Sequence, residues 1–83
     1  MPTIFRELGF RFFFYSNEHE PIHVHVSKGN SEAVYKVSET EISLRDNYGM
    51  KSSELRLIES LIELKKNLII EEWTRFFINK LKK

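Results

Sequence analysis

All three histidines of the chain lie within seven residues, at His19, His23 and His25. Alternate residues of a β-strand point to the same face, so the side chains of His23 and His25 should project together, about 6.5–7 Å apart at Cα. Val24 and Val26 should point the other way, into the core. His19, on the turn before the strand, could fold back over the same face. The sequence thus predicts a converging set of imidazoles.

One interpretation of this cluster is a metal site. Neutral imidazole is a good ligand for transition metals such as zinc. His19, His23 and His25, or two of them with Glu18 or Glu20, would hold such an ion and leave one coordination position open for water. The chain has no cysteine, which excludes thiolate ligation, a disulfide framework and a cysteine nucleophile.

A second interpretation is acid–base chemistry without a metal, in which His19, His23 and His25 are the catalytic residues. Two imidazoles can serve as base and acid in a phosphodiester transfer, and the 2′-hydroxyl group of an RNA could be the nucleophile. This ribonuclease-like reaction also needs a cation beside the negative charge that develops on phosphate. The candidate substrate-binding residues are Arg6, Arg11, Tyr15, Asn17, Glu18 and Lys28.

A third interpretation gives the histidines no chemical role. They would then lie on a solvated face of a sheet, paired with Glu18 or Glu20, and the sequence leaves open whether the chain is an enzyme.

No phosphate-binding glycine loop, serine nucleophile elbow or cofactor fingerprint is present. No cofactor is therefore expected, with a single zinc-like ion as the alternative.

The elements that must position these residues change in character once, near residue 50. The 83 residues should form a single domain over 1–83, with a β-rich part at 1–50 and a helical part at 51–83. Strands are predicted at residues 10–15, 23–27, 32–37 and 41–44, with a short extended piece at 3–5. Short connections, such as the hairpin turn Lys28–Ser31, predict an antiparallel meander of three to four strands.

The helical part should contain two helices packed on one face of this sheet. Ser52 or Ser53 can cap the first helix, with Glu54 in its first turn. Asn67 could end that helix, and a second would run over residues 68–81. One continuous helix through Asn67 is the main alternative. Strands followed by helices indicate an α+β fold.

The aromatic segment at residues 10–15 carries large side chains on both of its faces. Phe12 and Phe14 should face one side of the sheet, and Phe13 and Tyr15 the other. Two helices cannot cover both sides, so an interface with a partner protein or a second copy is expected. The corresponding alternative function is a non-catalytic protein-interaction or regulatory module. The chain has no cysteine, no apolar run long enough to span a membrane and no secretory signal, so a cytoplasmic protein is expected.

Several of these residues also carry a family resemblance. The opening residues 1–4, the run Asn17-Glu18-His19, and then Pro21, His23, His25, Gly29 and the Glu32-Ala33 pair resemble the bacterial family catalogued as domain of unknown function 4160. That family usually has a second proline where Ile22 stands and often an aromatic residue where Val24 stands. Its members are small proteins often encoded beside another small uncharacterised protein. The resemblance therefore implies a candidate toxin of a toxin–antitoxin-like pair, with the neighbouring protein as partner.

Overall fold

The computed structural model describes residues 3–15 and 22–81, with side chains described as far as Phe77. In this part of the chain, five β-strands precede one α-helix. They are β1 (Thr3–Glu7), β2 (Phe10–Phe13), β3 (His23–Lys28), β4 (Ser31–Val37), β5 (Ile42–Tyr48) and α1 (Ser52–Leu81). The strands form one antiparallel sheet in the order β1-β2-β3-β4-β5. The predicted α+β class and antiparallel meander are confirmed.

The predicted count of three to four strands is wrong. Residues 3–7 form a full strand that pairs with β2, where the sequence indicates only a short extended piece. Residues 45–48 lie beyond the strand predicted at 41–44, but they continue β5 and pair with β4 beyond a bulge at Val34 and Tyr35. Both strands lie at an edge of the sheet. Edge strands tolerate polar residues on both faces, which weakens the alternation that identifies a strand in a sequence.

Two of the connections are two-residue turns with positive φ angles. Gly29 (φ 60°) and Asn30 join β3 to β4, as the predicted turn at Lys28–Ser31 requires. Leu8 (φ 53°) and Gly9 (φ 84°) join β1 to β2. Positive φ at both central residues of the Leu8-Gly9 turn, and at the first central residue of the Gly29-Asn30 turn, matches the right-handed twist of the flanking strands. Leucine rarely adopts this conformation, so the turn is formed at some cost in backbone strain.

One face of the sheet carries the core. Phe12, Val24, Val26 and Tyr35 lie on it without measurable exposure, in agreement with the predicted inward direction of the valines. Helix α1 covers this face with the apolar side chains Leu55, Ile58, Leu61, Ile62, Ile69 and Trp73. Phe14 also belongs to this cluster, as predicted, and its ring contacts Trp73 edge-on at 5.2 Å. The helix has too little continuous apolar length to cross a bilayer.

The two predicted helices are a single helix, which is the alternative that the sequence left open. Asn67 does not end it, because the apolar stripe continues through Ile69 and Trp73 and neither glycine nor proline interrupts it. The backbone departs from helical geometry at Lys65 (φ −106°, ψ 16°), which produces a kink. Nearby, the Lys66 ammonium donates a hydrogen bond of 2.7 Å to the carbonyl of Glu39.

The start of α1 also differs in detail from the prediction. The helix begins at Ser52, so neither Ser52 nor Ser53 is the cap residue, which is Lys51. The side chain of Glu54 reaches back and accepts a hydrogen bond of 2.9 Å from the Lys51 backbone N–H. This is the carboxylate half of a capping box, and it places the predicted negative charge in the first turn.

Tyr35 connects the centre of the sheet to the helix. Its hydroxyl donates a 2.8 Å hydrogen bond to Glu59 Oε2 and lies 3.4 Å from the Leu55 carbonyl oxygen. Burial, together with the hydrogen bond and charge of Glu59, raises the pKa of Tyr35 well above its ordinary value. The folded state therefore holds the phenol in its protonated form.

We expect Tyr35→Phe to lower the free energy of unfolding at pH 7 by about 1–2 kcal/mol, because the hydrogen bond to Glu59 is lost. In the wild type, stability should fall as pH rises above about 10, because the unfolded chain then ionises Tyr35 while the folded chain keeps the proton. Urea unfolding between pH 8 and pH 11 measures both effects. The stability of Tyr35→Phe should decline less steeply over this range, and two parallel curves would contradict the assignment.

Candidate functional site

His23 and His25 lie on the central strand β3 and share the face opposite Val24 and Val26, as predicted. Their ring centroids are 5.6 Å apart. Both residues are buried, with exposed fractions of 6% and 8%. The interpretation that places them on a solvated face therefore does not describe their surroundings. Two imidazoles in contact on one buried strand form the centre of the candidate site, which we call the histidine face of the sheet.

Aromatic rings surround the two imidazoles. Phe13, directly opposite His25 on β2, stacks on it at 5.4 Å, and Tyr15 meets it edge-on at 4.3 Å. His23 contacts Trp73 of α1 at 5.4 Å, so the part of the helix beyond the kink reaches this site. Phe13 and Tyr15 thus face the side predicted for them. Phe13 is only 2% exposed, so it supports His25 rather than forming an open apolar surface.

Glu32 is a contact of His25 that sequence reasoning missed. Its Oε2 lies 3.0 Å from Nδ1 of His25, while the acids proposed as partners were Glu18 and Glu20. The signal was available in the predicted turn at residues 28–31. A two-residue turn there pairs Ser27 with Glu32, which places Glu32 diagonally from His25 on the same face.

This contact defines what His25 can do chemically. A carboxylate beside Nδ1 favours the tautomer in which Nδ1 carries the proton and donates it in a hydrogen bond to Glu32. In the neutral ring, Nε2 then holds the lone pair that can accept a proton. Glu32 also lies where it would stabilise the imidazolium ion formed by that transfer. His25 and Glu32 therefore have the arrangement of a general base and the residue that orients it.

Two of the predicted substrate-binding cations lie on the histidine face. Arg6 and Arg11 are directly opposite each other on β1 and β2, and Arg11 is opposite Ser27 of β3. Since Phe13 lies opposite His25, the alternation of side chains along β2 puts Arg11 on the same face as Phe13 and His25. Arg6 is exposed and Arg11 is half-buried.

Lys28 is not brought to this face. Its Nζ lies 4.9 Å from the centre of the Phe10 ring and 4.0 Å from Glu54 Oε2, on the helix side of the sheet. A different cation takes a place beside the histidines, because Lys36 of β4 is directly opposite His23. Sequence reasoning missed Lys36, which the same hairpin register would have indicated.

Three of the predicted site residues, His19, Asn17 and Glu18, lie outside the described residues. Within residues 3–15 and 22–81, no group of three or more histidine, aspartate or glutamate side chains is arranged to hold a metal ion. The described pair of histidines with Glu32 therefore does not suffice as a metal site. Because the predicted ligand set includes His19, the metal interpretation stays a prediction.

Comparison with known proteins gives one match. A family model described as a domain of unknown function (DUF4160) matches residues 9–74. No curated protein and no solved structure matches the chain. The matched range includes β2 to β5, His23, His25 and Glu32, and it ends just after Trp73.

Proposed function

Given that the chain belongs to the DUF4160 family, which is itself of unknown function, we propose from its own residues that it cleaves RNA by acid–base catalysis on the histidine face. The observation that carries the proposal is the 3.0 Å contact between His25 and Glu32, beside a second imidazole whose ring centre is 5.6 Å away. Neither group requires a metal or an organic cofactor for this reaction.

In the proposed reaction, Nε2 of His25 accepts the proton of the ribose 2′-hydroxyl group. The 2′-oxygen then forms a bond to phosphorus, and the bond from phosphorus to the 5′-oxygen of the next nucleotide breaks. A protonated His23 donates its proton to that leaving oxygen. The products are a 2′,3′-cyclic phosphate and a free 5′-hydroxyl group, and both protons are accounted for.

The arrangement of the face supports this assignment of roles. The short distance between the two rings allows both to reach oxygen atoms of one phosphodiester group. The positive side chains of Arg6 and Arg11 lie on the same face and attract the polyanionic strand.

The proposal is tested by incubating tag-free protein with a fluorescently labelled single-stranded RNA and separating the products. We expect fragments that end in a 2′,3′-cyclic phosphate. A matched strand with one 2′-deoxy residue should resist cleavage at that position, because the nucleophile is missing there. Absence of cleavage at a protein concentration above that of the RNA would contradict the proposal.

The same preparation separates the two alternatives. A metal-binding domain predicts about one transition metal ion per chain after tag-free purification, lost in a His23→Ala, His25→Ala double variant. An interaction module predicts a stable complex with a protein partner that the double variant still forms. The toxin-like role and the small partner protein implied by the family resemblance stay predictions, as do a homodimer and a cytoplasmic location.

A further inference from the structure

We propose that Arg6 and Arg11 together bind a second phosphate group of the RNA strand, next to the one that reacts at the histidines. This inference rests on the proposed function and adds a substrate requirement to it. The preferred substrate is then a single-stranded RNA with at least two phosphate groups, the one that reacts and a neighbouring one. A dinucleoside monophosphate has only the first.

The first argument is the placement of two like charges. Arg6 and Arg11 are direct cross-strand partners, and within residues 3–15 and 22–81 no carboxylate forms an ion pair with either. Like charges directly opposite each other destabilise a sheet. An anion held between the two guanidinium groups would replace their mutual repulsion by attraction to the anion. Phosphate is a suitable anion because its oxygen atoms match the forked geometry of arginine.

The second argument is that Arg11 is already held in place. Its Nε donates a 2.9 Å hydrogen bond to Thr3 Oγ1, and its guanidinium carbon lies 4.4 Å from the centre of the Phe13 ring. With Nε occupied, the two terminal nitrogens remain to contact an anion. A side chain fixed before binding loses less conformational entropy when the ligand arrives.

The third argument is the distance from the reacting groups. Phe13 lies between Arg11 and His25, with separations of 4.4 Å and 5.4 Å, so the guanidinium group and the imidazole are no more than about 10 Å apart. Arg11 lies opposite Ser27, two residues along β3 from His25, so it is offset along the sheet from the reacting groups and within reach of a neighbouring phosphate of the same strand.

Binding can be measured without turnover. The probe is a 2′-O-methyl trinucleotide with two internal phosphates, titrated into the His25→Ala variant and followed by NMR or fluorescence. Arg6→Ala and Arg11→Ala should each weaken binding about tenfold or more. Each should also reduce the magnitude of the slope of log K against log salt concentration, where K is the association constant, by about 0.7. This is the change expected when one contact to a phosphate of a single strand is lost. Arg56→Ala, which removes an exposed arginine from α1, is the matched control and should change neither quantity.

Turnover supplies the second readout. Arg6→Ala should raise KM for the trinucleotide several times more than KM for a dinucleoside monophosphate, with little change in kcat for either substrate. Arg11→Lys should bind almost as weakly as Arg11→Ala, because lysine loses both the bond to Thr3 and the fork. Equal binding by wild type, Arg6→Ala and Arg11→Ala would overturn the subsite even if cleavage occurs. Arginine-dependent binding without cleavage would keep the subsite and reject only the catalytic proposal.

Discussion

His25→Ala should lower kcat for RNA cleavage by about 10²- to 10⁴-fold, the usual contribution of a general base. The substitution removes a buried imidazole that has an orienting carboxylate, with Nδ1 at 3.0 Å from Glu32. Steady-state cleavage of a labelled RNA measures the effect. His25→Asn is a closer variant, because its amide keeps an N–H group near Glu32 but cannot act as a base. It should be as inactive as His25→Ala.

Glu32→Gln tests whether the carboxylate acts through His25. We expect a smaller loss that lies in kcat and leaves KM unchanged, because Glu32 positions the base and does not contact the substrate. Glu32→Asp should recover part of the lost rate. A thermal melt of each variant serves as the folding control. If His25→Ala and His25→Asn fold and cleave RNA at the wild-type rate, the proposed mechanism is wrong.

Trp73→Ala should lower the free energy of unfolding by about 3–5 kcal/mol, the usual cost of removing a buried tryptophan. Trp73 is 3% exposed, and its ring contacts those of Phe14, His23 and Phe77. It therefore packs the part of α1 beyond the kink against the sheet. Urea unfolding followed by circular dichroism is the suitable measurement, because the variant loses the only tryptophan of the chain.

The control for this prediction is Thr74→Ala, an exposed neighbour that should change stability by less than about 0.5 kcal/mol. A loss of 3–5 kcal/mol approaches the whole stability of a small domain, so Trp73→Ala could fail to fold. Trp73→Phe keeps an aromatic ring and should fold with an intermediate loss. If Trp73→Ala or Trp73→Phe matched the wild type, the part of α1 beyond the kink would not be docked on the sheet.

The candidate site could be predicted from sequence only where local periodicity determines it. The two-residue repeat placed His23 and His25 on one face and Val24 and Val26 on the other, and the structure agrees. Glu32 was missed because its nearness to His25 depends on pairing between strands. Lys28 was included among the cations near the site because closeness along the chain does not reveal which face a strand residue occupies.

For the fold, the sequence predicted the class but not the number of strands and helices. Helical spacing and the change of character near residue 50 indicated the α+β class. The predicted number of helices depended on one residue, Asn67. Asparagine tolerates the left-handed conformation that ends many helices, but it ends a helix only when the chain changes direction there. The edge strands β1 and β5 were under-predicted because their polar residues do not alternate clearly with apolar ones, and pairing with a neighbour decides their conformation.

The order of the elements along the chain has a consequence for synthesis on the ribosome. Every strand pairs with the strand that precedes or follows it, so the sheet can form by successive local hairpins as the chain emerges. The helix that covers the core face comes last. Until its apolar side chains emerge, the nascent sheet exposes Phe12, Val24 and Val26 to solvent or to any chaperone that meets it. Translation speed over residues 52–73 therefore sets how long this vulnerable intermediate persists.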